Sequence, residues 1–311
     1  MMGILSGLKN FGVDMDGDIY GDNKAKQQAE EEAQTAARLA AADEARKAAE
    51  AAKKKQDEEP SLLLARSYEC PVCDRPFKSL GVKANRARMI SSDIDLRPVY
   101  EPVDMLKYAV IACPNCGYAA LARNFQNITT NQKKVVREKI CGNFKPIKNN
   151  DAKTIYTYDE AMGRYQMAFA TAMATVAKPS EKAYLCLSMS WLARGQRKSL
   201  SDTEFDYIKK LDECKVGERE LQRKALEGFI YARQTEGYPM CGNMDQYTVD
   251  YIIAAMYFKT REFEKAMKLL PDILVSASAN RRVKEKARDL KDRIMAIKAS
   301  NKTPTEEEMP D

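Results

Sequence analysis

Apolar residues recur with a helical period along the C-terminal half of the chain. In residues 281–299 the apolar positions are spaced by four and three, so they form one stripe along a helix. The other faces of that helix carry many Lys and Arg, and we expect it to cap a helical array with its basic side outward. Similar patterns predict helices throughout residues 151–298. The stripe consists of Val283, Ala287, Leu290, Ile294 and Ile297.

Several of these helices carry signals for their ends. Asp159 is a candidate N-cap for the first helix and Ser180 for the second, which Gly195 would end. Ser201 and Glu204 have the spacing of a capping box ahead of a third helix.

A helical hairpin is predicted over residues 245–274. Within it, Ala254, Tyr257, Phe263 and Ala266 fall at the small and aromatic positions of a tetratricopeptide unit. We therefore predict a tetratricopeptide-like helical array at the C-terminal side of the fold, although only one unit matches clearly.

Residues 61–150 differ from the helical part because they contain short β-prone runs and loops. Two of these runs, LLLARSYEC and LKYAVIACPNC, each lead into a Cys-x-x-Cys pair. The predicted fold class is thus mainly α, with a small α+β module that carries both cysteine pairs.

The chain ends lack a pattern of buried positions. Residues 1–23 are a weakly amphipathic leader, which we expect to dock on the protein's own body or to be disordered, rather than to dock on a partner or a membrane. Residues 24–60 are rich in Ala, Glu and Lys and predict a solvated helical spacer that ends at Pro60. Residues 299–311 are predicted to be a disordered tail.

The composition of the 311 residues is 44% hydrophobic and 31% charged, which suits a folded, soluble chain. No apolar run reaches the roughly 18 residues that span a bilayer. The apolar patch at the N-terminus is too short for a secretory signal. We therefore expect a cytoplasmic protein, and a reducing compartment favours metal or redox roles for Cys-x-x-Cys over disulfides.

Histidine is absent from the sequence. This excludes His-based catalytic triads, HExxH metalloproteases and Cys₂His₂ fingers. A metal site would have to use thiolates. No pair of carboxylates lies in a recognisable catalytic motif, so an enzymatic role is left open but not favoured.

The paired cysteines predict a metal site. Zinc takes four tetrahedral ligands and binds thiolates well, and Cys-x-x-Cys in a tight turn places two sulfurs on one ion. Four thiolates leave no position for a substrate, so we predict one structural Zn²⁺. An iron–sulfur centre and a thioredoxin-like dithiol are the alternatives. The predicted ligands are Cys70, Cys73, Cys113 and Cys116.

The other four cysteines are scattered along the chain. Cys186 lies in the most apolar predicted helix and is expected in the core. Nothing in the sequence pairs Cys141, Cys214 or Cys241 with a base that would make a nucleophile.

The chain resembles an uncharacterised bacterial family catalogued as domain of unknown function 2225. The resemblance covers roughly residues 60–290 and rests on CPVCDRPF, on SSDIDLRPVYEPVDMLKYAVIACPNCGYAA and on the helical remainder. It implies a zinc module fused to tetratricopeptide-like helices, with no established activity. Between the pairs, Asp93 and Asp95 are expected to shape a turn rather than to act chemically. The matching positions are Cys70, Cys73, Cys113, Cys116, Gly117, Tyr118, Asp93, Asp95 and Tyr100.

Two classes of function fit these features. The favoured one is a non-enzymatic adaptor whose helical array binds a protein or peptide. The other is a nucleic-acid- or ribosome-associated zinc protein, because residues 61–150 carry 15 Lys plus Arg against 7 Asp plus Glu. Lys83, Arg86 and Arg88 are its candidate phosphate contacts. Its candidate stacking residues, which could equally be core aromatics, are Phe77, Tyr100, Tyr108 and Tyr118.

Overall fold

The computed structural model describes residues 58–147, 154–202 and 205–300. The predicted leader 1–23, all but the last three residues of the spacer 24–60, and residues 301–311 of the predicted tail lie outside the described residues. The described residues from Glu58 onward belong to one compact unit.

The module is built from three antiparallel hairpins, each a two-stranded sheet. Short 3₁₀ turns accompany them: Glu59–Leu62 precedes the first hairpin, Met105–Tyr108 links the second to the third, and Ala122–Asn124 follows the third. The strand pairs are β1 (Leu63–Glu69) with β2 (Pro76–Val82), β3 (Arg88–Ser92) with β4 (Pro98–Glu101), and β5 (Val110–Ala112) with β6 (Ala119–Leu121).

Helices make up the rest of the described chain. The first one is short and continues into a π-helical turn at Arg137–Cys141. The fold is thus mainly α with a small α+β module, as the sequence predicts. The helices are α1 (Thr130–Val136), α2 (Tyr158–Ala174), α3 (Pro179–Ser199), α4 (Tyr207–Thr235), α5 (Gln246–Lys259), α6 (Phe263–Val275) and α7 (Arg281–Ala299).

Helix α3, the most apolar of the predicted helices, is the centre of the main core. It packs between α2 and α4, and Leu187, Leu192 and Trp191 are among its buried residues. The third hairpin joins the same core through Val110 and Ala119. The module and the helices are therefore held together by shared apolar packing.

Helices α5, α6 and α7 surround a second core. The stripe predicted for α7 is confirmed, because Val283, Ala287, Leu290 and Ile294 are buried and Ile297 packs at its edge. Helices α5 and α6 form the predicted hairpin, with both of its small residues, Ala254 and Ala266, fully buried. Its likeness to a tetratricopeptide unit stays a prediction.

The predicted N-caps of α2 and α3 are wrong. Thr157 caps α2, and its side chain and that of Glu160 form a reciprocal capping box. Helix α3 begins with Pro179 after Lys178. Ser180 is instead held from outside its helix, since its N–H and Oγ each donate to the Glu236 carboxylate at 2.7 Å.

Gly195 and Ser201 also have different places from those predicted. Helix α3 runs through Gly195 to Ser199, so this glycine is interior rather than terminal. A Cβ there would lie 2.8 Å from Tyr158 Cε1 and 2.9 Å from Arg97 Nη2, so close packing requires the glycine. Helix α4 begins only at Tyr207, well after Ser201, and Glu204 lies outside the described residues.

Candidate metal centre

The two Cys-x-x-Cys pairs form the turns of two matching hairpins. In β1–β2, the Cys70 N–H donates to the Arg75 carbonyl at 3.1 Å. In β5–β6, the Cys113 N–H donates to the Tyr118 carbonyl at 2.8 Å. Both turns therefore extend their ladders by one hydrogen bond before the chain reverses.

Each turn closes in the same way after its second cysteine. The Asp74 N–H donates to the Cys70 carbonyl at 2.9 Å, and the Gly117 N–H donates to the Cys113 carbonyl at 3.0 Å. Both residues are left-handed, with φ 57° at Asp74 and φ 77° at Gly117. Asp tolerates this conformation better than most residues, and Gly adopts it freely.

The two turns face each other, so that four sulfurs converge. All four Sγ atoms lie within 4.8 Å of one another, and they belong to Cys70, Cys73, Cys113 and Cys116. Sulfurs of opposite turns are 3.6 Å apart for Cys70 and Cys116, and 3.7 Å apart for Cys73 and Cys113. A tetrahedral site with metal–sulfur bonds of about 2.3 Å has sulfurs about 3.8 Å apart. The arrangement therefore fits one tetrahedral metal ion.

These separations do not fit disulfides. A disulfide requires sulfurs about 2.05 Å apart, whereas the sulfurs of Cys70 and Cys116 are 3.6 Å apart, those of Cys73 and Cys113 are 3.7 Å apart, and all four thiols are free. Proximity without bonds is the arrangement expected of a metal site.

The sulfurs lie in an apolar cage. Cys70 and Cys113 are fully buried, and Cys73 keeps partial contact with solvent. The cage also contains Phe77 and Tyr118, whose hydroxyl donates to the Phe125 carbonyl at 2.8 Å. Such a shell excludes water and holds both turns in position. Its members are Val72, Phe77, Ile111, Tyr118, Phe125 and Val136.

Crowding couples the ionisation of the thiols. Hydrogen bonds with Cys116 and Cys70 hold the pKa of the Cys113 thiol far below its usual value, at about 2. The thiol hydrogen bond with Cys113 raises the pKa of Cys70 to about 12. Several thiolates at such distances repel one another, so a bound cation would be needed to hold all four.

Residues after α1 close the site from one side. The Arg137 Nε donates to the Val72 carbonyl at 2.7 Å, and the Ile147 N–H donates to the Pro114 carbonyl at 2.9 Å. Phe144 covers Gly117, where a Cβ would lie 2.6 Å from the ring. Cys141 packs against this shell, and burial raises the pKa of its thiol. It is not one of the four grouped sulfurs.

The other predicted candidates lie apart from the sulfurs. Cys186 is buried in α3, as expected, and Cys214 is buried in α4. Cys241 follows α4 and lies 3.7 Å from Arg123 Nη2. Of the four aromatic residues considered for stacking on bases, Phe77, Tyr108 and Tyr118 are buried, and only Tyr100 is partly exposed. Phe77, Tyr108 and Tyr118 are therefore core aromatics rather than residues available to stack on bases.

Asp93 and Asp95 lie in the turn between β3 and β4, and this turn is inserted among the helices. Arg194 of α3 donates to Asp93 Oδ2 at 2.8 Å and to Asp95 Oδ2 at 2.6 Å. Its Nε donates to Glu218 of α4 at 2.7 Å. Asp93 and Asp95 thus belong to a turn, as expected, and this turn also joins the module to α3 and α4.

This ionic cluster has a further anchor. Lys259 of α5 lies 3.8 Å from Asp95, and the Tyr251 hydroxyl donates to the Ile94 carbonyl at 2.8 Å. Burial alone would raise the pKa of Asp95, but the charges of Arg194 and Lys259 outweigh it and hold that pKa well below its usual range. Sequence reasoning missed Arg194 because a cationic residue in an apolar helix has no local signal for its partner.

Together, the fold and the sulfurs define a class of protein: a module of three hairpins, two of which supply four cysteines that could hold a metal ion, packed on a set of helices. Residues 63–294 match the family described as "Uncharacterized protein conserved in bacteria (DUF2225)", and the chain belongs to this family. Neither a curated protein nor a solved structure matches the chain significantly.

In the part of the chain that the structure describes, no helix is both long and apolar enough to cross a membrane.

Proposed function

We propose that the protein is a zinc-binding, non-enzymatic adaptor of the cytoplasm. Its four-cysteine site holds one structural Zn²⁺, and its helices bind a protein partner. The observation that carries the metal assignment is the convergence of four free sulfurs within 4.8 Å. Zinc is our choice because closed, tetrahedral four-thiolate sites are typical of structural zinc, and iron held by the same four sulfurs is the alternative that metal analysis distinguishes.

The role of the ion is structural. Four protein thiolates complete a tetrahedral shell, so no position is left for water or a substrate. The ion would join two hairpins that lie 43 residues apart, measured from Cys70 to Cys113. It would also neutralise thiolates that otherwise repel one another.

Metal analysis of protein purified without added metal tests the zinc site. We expect about one zinc per chain in the wild type and a large loss of zinc in Cys113→Ser. Cys186→Ser is the control, since Cys186 is buried in α3 away from the sulfurs. Iron with visible absorbance, or full zinc in Cys113→Ser, would contradict the assignment.

A groove on the helices supplies the candidate protein-binding surface. Helices α2, α3 and α4 enclose a volume of about 520 Å³. Gly228 of α4 touches Ala183 of α3, where a Cβ would lie 2.8 Å from the alanine Cβ. The groove is lined mainly by Met162, Phe169, Met173, Met189, Leu221 and Tyr231.

The chemistry of this groove fits an amphipathic helix with acidic residues beside its apolar stripe. Methionine side chains adapt to varied apolar partners, and helix-in-groove binding uses such surfaces. Lys182 and Lys224 lie at the groove and offer the positive charge. Lys224 also meets Glu227 at 3.0 Å, but this exposed pair is weak and exchangeable.

Matched substitutions test the adaptor role. Met173 is 54% exposed at the groove, and Met295 is 52% exposed on α7. We expect Met173→Asp to lose nuclease-resistant, crosslinked partners that the wild type and Met295→Asp both retain. Equal capture by the two variants would contradict a partner in this groove. Both sites are exposed, so the substitutions should leave folding intact.

A further inference from the structure

The solvent-facing side of α7 carries a continuous basic stripe. Its members are separated by three, four, three and seven residues, so they share one face of the helix. They lie within 18 residues, so the first and the last are about 26 Å apart along the helix. The stripe consists of Arg281, Lys284, Arg288, Lys291 and Lys298.

Packing fixes the direction of this stripe. The apolar face of α7 is buried in the second core. A different face meets β3, where the Lys286 Nζ donates to the Ser92 carbonyl at 2.7 Å and Arg282 lies 3.8 Å from Met89 Sδ. The helical period places the basic stripe on a third face, away from the second core and from β3. Arg281, Arg288 and Lys291 of this stripe are exposed.

The stripe keeps most of its positive charge. Helix α7 has eight Lys plus Arg and three Asp plus Glu. Arg281 meets Glu285 at 2.9 Å, with both side chains more than half exposed, and Lys298 meets Glu264 at 2.6 Å. Exposed pairs of this kind are weak and exchange readily with other ions.

We propose that this stripe binds the phosphate backbone of a nucleic acid. Phosphate binding releases condensed counterions, so a row of cations can suffice without apolar anchors. A protein partner would need such anchors, and Met295 is the only apolar residue within the stripe. Stable attachment to an anionic membrane would need a second anchor besides charge, such as an apolar face, and the apolar face of α7 is already buried.

Fluorescence anisotropy with a labelled 20-nucleotide RNA of mixed sequence tests the proposal. We expect wild-type protein to bind at about 100 mM salt and Arg288→Glu/Lys291→Glu to bind at least about tenfold more weakly. The salt dependence, as the slope of log K against log salt, should become shallower by about 1.4, or 0.7 for each of two lost phosphate contacts. Arg288→Lys/Lys291→Arg keeps both charges and should bind like the wild type.

The matched control carries the same charge change on a different helix. Lys209→Glu/Arg223→Glu replaces one exposed Lys and one exposed Arg of α4 and should change the affinity less than about threefold. Labelled DNA of the same sequence shows whether the sugar matters. The proposal is overturned by no RNA or DNA binding up to about 100 µM protein, by an equal loss in the control, by equal competition from polyglutamate, or by preferred binding to anionic vesicles.

Discussion

The Asp95 carboxylate accepts a hydrogen bond from Arg194 Nη2 at 2.6 Å, and both side chains are completely buried. Asp95 lies in the turn between β3 and β4, whereas Arg194 lies in α3. The pair therefore links the module to the central helix at a place without water. Asp93 and Glu218 also pair with Arg194, and Lys259 places a second positive charge beside Asp95.

Removal of one partner should be costly. Asp95→Ala leaves Arg194 buried without its main counter-ion, and we expect the free energy of unfolding to fall by about 3–5 kcal/mol. Urea unfolding followed by circular dichroism measures this loss. Glu285→Ala, which removes an exposed partner of Arg281, is the control and should cost less than about 1 kcal/mol. Similar losses in both variants would contradict the structural role of the buried pair.

The pair should also make stability depend on pH. Because the pKa of Asp95 is lower in the folded protein than its ordinary value of 3.8, its stabilising effect is complete above that value. The effect declines as the pH falls below about 4, because the carboxylate then takes up a proton in the unfolded chain while it stays ionised in the folded protein. Between pH 5 and pH 2, the free energy of unfolding should fall less steeply for Asp95→Asn than for the wild type. Equal slopes would show that Asp95 does not contribute.

Two helix glycines should respond in opposite ways to alanine. A Cβ at Gly163 of α2 meets nothing within 4 Å, so Gly163→Ala should stabilise the protein by about 0.5–1 kcal/mol. At Gly195 of α3 the same group would meet Tyr158 at 2.8 Å, and Gly195→Ala should be destabilising. Thermal unfolding of both variants measures the difference. An increase in Tm for both would mean that the packing at Gly195 is loose.

The two cysteine turns should differ in their tolerance of a side chain. Gly117→Ala adds a Cβ at φ 77° and places it 2.6 Å from the Phe144 ring, so it should cost more than about 1 kcal/mol and lower the affinity for zinc. Asp74→Ala, at the matching position of the other turn, starts from a residue that already has a side chain and should cost less. Zinc competition with a chromophoric chelator compares the two. Equal affinities would mean that the turns are not under this constraint.

Removal of the metal should loosen the module first. A chelator should speed hydrogen exchange in β1–β2 and β5–β6 before it affects α5 and α6, which belong to a separate core. Mass spectrometry of exchange over time follows each region. Uniform acceleration would show that the site also supports the helical part, and no acceleration would argue against a structural ion.

Periodic patterns made much of the structure predictable. The apolar stripe of α7 is buried as its spacing predicts, because a helix at the edge of an array has one apolar face and one solvent face. The matching cysteine pairs likewise predicted which sulfurs would meet, since each pair shapes its own turn. The apolar stripe and each separate turn depend on residues that are close together in the sequence, whereas the meeting of the two turns was predicted from the four ligands that a tetrahedral metal ion takes.

The features that were missed depend on distant residues or on competition between local signals. Asp159 was predicted as a cap, yet Thr157 caps α2 because its partner Glu160 completes a reciprocal pair. Glycine often ends a helix, but Gly195 lies inside α3, where close packing against Tyr158 and Arg97 requires a residue without a side chain. Arg194 could not be linked to Asp95 from the sequence, because only the tertiary fold brings them together.

The inserted turn has a consequence for synthesis of the chain on the ribosome. Asp95 is made 99 residues before Arg194. At about 5–20 residues per second, the carboxylate waits roughly 5–20 s for its counter-ion. Early in this interval the second cysteine turn is completed, because Cys116 follows Asp95 by 21 residues, and the two turns can then take up metal while the β3–β4 turn stays in water. We therefore expect the metal site to form first, and the buried ion pairs to form only when α3 and α4 have emerged from the ribosome.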